Sequence, residues 1–162
     1  MLRQILSFIM IMSLSFSQGN WYAGNLNKIN EVSIGVSVNG LDDPMWEKKV
    51  KQIVLLFLER YKLKINPDRF SPSVDIKIGV IEPGDNPLVS YTIDISVYDF
   101  FVSKEDYTKY YSKKKTLKKF KTGKIYQENI LGQSSNEMMR ADMENTLIRM
   151  LDNFIDQWYQ DN

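Results

Sequence analysis

The chain has 162 residues, with 21 Lys plus Arg against 20 Asp plus Glu, and it contains neither His nor Cys. One domain is the prior at this length, and a near-neutral charge argues against a general nucleic-acid binder. Without Cys there is no disulfide, thiol nucleophile, iron–sulfur cluster or thiolate zinc site, and without His there is no Ser-His-Asp triad and no His-ligated metal.

Residues 1–17 read MLRQILSFIMIMSLSFS. Arg3 supplies a positive start, and Ile5 to Phe16 form an apolar run broken only by serines. A membrane span needs about 20 apolar residues, so this run fits the core of a secretory signal peptide instead. Ser15-Phe16-Ser17 is small-bulky-small, which predicts cleavage after Ser17. No Cys follows, so a lipoprotein anchor is not expected. The processed chain is expected to be soluble, in a periplasm or outside the cell, with no later transmembrane span.

Residues 18–28 are polar and read as a flexible or edge-docked lead-in to one domain over 29–162. Val32, Ile34, Val36 and Val38 alternate with Ser33, Gly35, Ser37 and Asn39. A period of two means a strand with one wet face. Asp42 or Asp43 then caps a helix, with Pro44 at its first position. Trp46, Val50, Ile53, Phe57 and Tyr61, widened by Val54 and Leu58, make its apolar stripe up to Tyr61. Asn66-Pro67-Asp68 has turn chemistry.

Ile76, Ile78 and Val80 alternate with polar partners, as do Tyr91, Ile93, Ile95 and Val97. Between them Glu82-Pro83-Gly84-Asp85-Asn86-Pro87 is a turn, so the two strands read as an antiparallel hairpin. Lys124 to Leu131 predicts a fourth strand, with Leu117 as its early limit. Ser134 and Glu137 have capping-box spacing, and Met139, Met143, Leu147, Met150, Phe154 and Trp158 follow on one helical face. The order β-α-β-β-β-α predicts an α+β two-layer sandwich. About four mostly antiparallel strands are covered on one face by two helices.

Charge is strongly segregated. Residues 104–124 carry nine lysines against Glu105 and Asp106, a net of +7; residues 125–162 carry a net of −5 and residues 18–103 a net of −2. The processed chain sums to zero, and the neutral total hides this separation. The basic segment is also aromatic. Ser103 and Asp106 have capping spacing for a short helix over 104–112, which would set Tyr107, Tyr110 and Tyr111 on one face. Lys113, Lys114, Lys115, Lys118, Lys119 and Lys121 follow, with Phe120 among them.

These tyrosines and lysines are the candidate binding residues, and the basic 103–124 segment is a candidate contact arm. Lysine is a flexible point charge suited to general attraction. The partner classes are therefore an envelope protein, an anionic lipid or an anionic envelope polymer. The competing reading is a solvated hairpin whose tyrosines pack on the domain edge.

The wet face of the sheet is a second surface. Ser33, Gly35, Ser37, Asp75, Lys77, Gly79, Thr92, Asp94 and Ser96 are short or polar and would admit a close partner. A homo-oligomer through this face or an edge strand is an alternative. Asp75 and Asp94 could sit on one face of neighbouring strands, which leaves a carboxylate-based hydrolase as a further alternative. No catalytic residue, metal ligand or cofactor is assigned, and the chain has no P-loop or GxGxxG. The element order behind a signal peptide resembles small envelope accessory proteins, namely lipopolysaccharide-assembly lipoproteins and the curli-secretion accessory protein. The likeness lies in element order alone and carries no site residue. The function expected is a non-enzymatic envelope binding domain.

Overall fold

A computed structural model describes residues 24–67, 71–81, 88–101 and 121–162. The expected signal peptide, the start of the lead-in, residues 68–70, the turn expected over 82–87, and residues 102–120 with the short helix expected there lie outside the described residues.

Strand β1 spans Glu31–Asn39 and helix α1 spans Pro44–Arg60. Asp43 is the N-cap: its Oδ1 accepts the Trp46 amide at 3.0 Å, and Pro44 follows where an amide hydrogen would find no partner. The two-residue β2 is Lys64–Ile65, β3 is Ser73–Ile81, β4 is Leu88–Phe101 and β5 is Lys121–Ser135. Helix α2, Met139–Asp161, closes the domain.

The five strands form one mixed sheet in the order β2-β1-β3-β4-β5. β1 runs parallel to both of its neighbours, while β3–β4 and β4–β5 are antiparallel. The class is α+β as the periodicities imply, with one strand more than expected and a parallel half. The parallel pairing follows from α1, since two strands joined through a helix return to the same end of the sheet.

Val74, Ile76, Ile78, Ile93, Ile95 and Val97 point to one face and are essentially fully buried. α1 covers that face with Trp46, Val50, Val54 and Leu58. α2 covers it with Met139, Met143, Leu147, Met150, Leu151, Phe154 and Ile155. The α1 stripe is rotated from the expected one. Ile53, Phe57 and Tyr61 sit half-buried on its flank, and Val54 and Leu58 take the centre. Trp158 is also half-buried, its Nε1 donating to the Ile29 carbonyl at 2.6 Å.

Glu144 ties the helices together, accepting from Trp46 Nε1 at 3.0 Å and from Lys49 at 2.7 Å; Arg140 reaches Asp43 at 2.8 Å.

The capping box expected at Ser134 and Glu137 does not form. β5 runs on to Ser135, and α2 starts four residues later with no side-chain cap at Met138, which is 54% exposed. The Ser134 hydroxyl instead donates to the Asp142 carboxylate in the first turn of α2. The same two elements are joined, by a bond from strand to helix.

Candidate functional site

β4 and β5 are the longest strands, and their pairing continues past the sheet's other members to Phe101↔Lys121. The lysine-rich segment is the connection between these paired ends. A register shift between Val97 and Tyr98 leaves Ile125 as the extra residue of a bulge. Beyond it, Lys124 Nζ lies 5.7 Å from the centre of the Tyr98 ring, a cation–π contact on the hairpin stem. Opposite, the Phe101 ring lies over Gly123, where an added Cβ would meet Phe101 Cε1 at 2.3 Å. A side chain at position 123 would therefore have to displace the Phe101 ring.

Of the predicted binding residues, Lys121 is described. It is the first residue of β5 and exposed. Tyr107, Tyr110, Tyr111, Lys113, Lys114, Lys115, Lys118 and Lys119 lie outside the described residues. Tyr98 and Lys124 belong to the stem but not to the expected set. The signal for Tyr98 was the Tyr98–Phe101 aromatic run, which continues the strand past its last core valine.

At the stem base the chain's two described ends meet. Asp161, in the last turn of α2, accepts the amides of Gly24 at 2.8 Å and Leu26 at 2.9 Å and the Gln157 side-chain amide at 2.8 Å. Burial pushes this carboxyl up, but the Gly24, Leu26 and Gln157 hydrogen bonds outweigh that and hold it below the ordinary value. Asn162 and Lys28 add a further bond at 2.7 Å, and Asn25 donates to the Ile125 carbonyl in the bulge at 3.1 Å. Leu26 is 0% exposed. Residues 24–28 are thus docked, between the end of α2 and the hairpin stem.

The face expected to be wet holds the residues expected of it, but Ser96 is 1% exposed, its hydroxyl turned to the Asp94 carboxylate, so the face is not wet at that point. The register sets Gly35 beside Asp75, Asp75 beside Ser96, Lys77 beside Asp94, and Gly79 beside Thr92. Three exposed apolar residues were missed: Ile81, Leu88 and Leu131 occupy the same face around Ser90. Each breaks the polar half of its strand's alternation, and that was the available signal.

Asp75 and Asp94 share the face as diagonal neighbours. Asp94 is already engaged, by the Ser96 hydroxyl and the Gln127 amide, each at 2.5 Å. Asp75 lies over Gly35, with Oδ1 2.8 Å from where a Cβ would stand. Depressions at Val38–Asp42 and around Trp46, Lys49 and Arg140 contain neither acid. Among the described residues no group of three or more Asp or Glu is placed to hold a metal ion, and no helix is long and apolar enough to cross a membrane.

No known protein family matches the chain, and no curated protein does. Among solved structures, a minor lipoprotein from Acinetobacter baumannii is similar over 80% of this chain and 91% of its own, at 9% identity and a TM-score of 0.36.

Proposed function

We propose that the chain is a non-enzymatic binding domain of the cell envelope, exported by its first 17 residues, whose β4–β5 hairpin contacts an anionic or acidic envelope component. The observation that carries this reading is the Phe101↔Lys121 pairing. It brings the two strand ends that flank the lysine-tyrosine segment together, so the chain enters and leaves that net +7 segment at one point of the sheet. Flexible ammonium groups on such a stem suit attraction to many phosphates or carboxylates rather than a geometric clamp.

The test is to replace residues 104–119 with a short Asn-Gly turn. The trimmed chain should keep its circular dichroism and unfolding transition. It should lose crosslinked recovery of its envelope partner, and lose co-sedimentation with phosphatidylglycerol vesicles where the native chain shows it. Undiminished recovery and sedimentation after trimming would remove the hairpin from the contact.

A further inference from the structure

The two edges of the sheet are built differently. β5 carries Lys121, Lys124 and Glu128, the Ile125 bulge, and the Asn25 side chain on the Ile125 carbonyl. Charges, bulges and covering groups are the devices that stop a further strand from adding. The other edge belongs to β2 and β1. β2 is two residues long and pairs with Glu31 and Val32 alone. From Ile34 to Asn39 no described residue pairs with the outer side of β1, and residues 32–39 contain no charge and no proline.

The register says which backbone groups look outward. The Ser33 amide donates to the Pro72 carbonyl at 2.7 Å, on the β3 side. A parallel ladder uses alternate residues on each side. Gly35 and Ser37 therefore bond β3, and Ile34, Val36 and Val38 turn their N–H and C=O groups away from it. Val32 belongs to this outward set and shows what a neighbour does. Its carbonyl accepts the Asn66 amide at 2.8 Å, and it is 0% exposed. Ile34, Val36 and Val38 project to the same face, past the end of β2, and are half-buried.

We propose that β1 of a second copy of this chain covers this edge, antiparallel about a twofold axis, extending the sheet across both molecules. Self-pairing is favoured by the strand's own composition. With the axis at Val36, Ile34 opposes Val38 and Val36 opposes its own copy. Gly35 then faces Ser37 on the other face, and no like charges meet. The proposal is independent of the hairpin reading, and a chain with a trimmed hairpin should dimerise as the native chain does.

The experiment is sedimentation equilibrium over a concentration series, on protein expressed from the full coding sequence and purified as the host leaves it. A dimer is the expected species. Val36→Pro removes an outward N–H and leaves the β3 ladder untouched, as proline on an edge does. It should raise the dimer dissociation constant by about tenfold or more, for the two hydrogen bonds lost across the axis. Ser37→Lys places a charge on the edge, keeps every backbone group, and should do the same, so the proposal stays testable where Val36→Pro does not fold. A native chain that stays monomeric overturns the proposal, including one that is monomeric yet binds a foreign extended peptide. So does a dimer indifferent to Ser37→Lys.

Discussion

Lys62 leaves α1 with φ at 63°, in the left-handed region where a side chain costs roughly 1–2 kcal/mol. Its amide bonds the Glu59 carbonyl at 2.9 Å, and Leu63 reaches back to Leu58 at 3.1 Å, so the helix ends in the wrap that usually employs glycine. Lys62→Gly should therefore raise stability by about 0.5–1 kcal/mol, read as a higher urea midpoint at unchanged slope. Asp161 acts at the same scale. Its folded value is depressed, so its contribution is present above the unfolded value of about 3.9 and is lost as pH falls through the lower folded value. Asp161→Asn should cost about 1–2 kcal/mol at neutral pH, with the gap to the native chain closing below about pH 4. A gap that stays constant with pH would show that the carboxylate's charge is immaterial.

At the scale of elements, α1 is the most legible. An aspartate before Pro44 and the apolar spacing that starts at Trp46 specify a capped amphipathic helix, and that helix forms, capped by Asp43 and with Val54 and Leu58 rather than Ile53 and Phe57 at the centre of its buried stripe. Asp43→Ala should destabilise by about 1 kcal/mol for the cap, and somewhat more because Arg140 loses its partner; equilibrium unfolding in urea reads it directly. The start of α2 was misread because Ser134 does bind an acid of the first helical turn, but from the last residues of a strand. Spacing alone does not separate these two geometries. β2 has no signature at all: two residues cannot display a period, and Lys64–Ile65 is a strand only because β1 lies beside it. The outward face of β1 is hidden for the same reason. Its alternation shows which residues are apolar, and only the neighbours show that, among the described residues, none pairs with the outer side of Ile34 to Val38.

For the whole molecule, charge separation and topology act together. The register pairs Phe101 with Lys121, so the two strand ends that flank the lysine-rich segment meet at one end of the sheet, and Asn25 of the docked residues 24–28 bonds Ile125 of the same stem. Binding through that segment should weaken steeply with added salt, because exposed charges are screened beyond roughly 8 Å at physiological ionic strength. The sequence by itself determined the class of the fold, the two helices and the segregation of charge. These follow from local periodicity, from capping and turn residues, and from counting. It also showed that common thiol and imidazole chemistry is absent. Only the tertiary structure decided the strand order, the parallel half of the sheet, the carboxylate clamp of Asp161 on residues 24–28, and which edge no described residue covers. Each of these depends on backbone groups from residues far apart in the chain, whose hydrogen bonds have the same chemistry whatever side chains they carry.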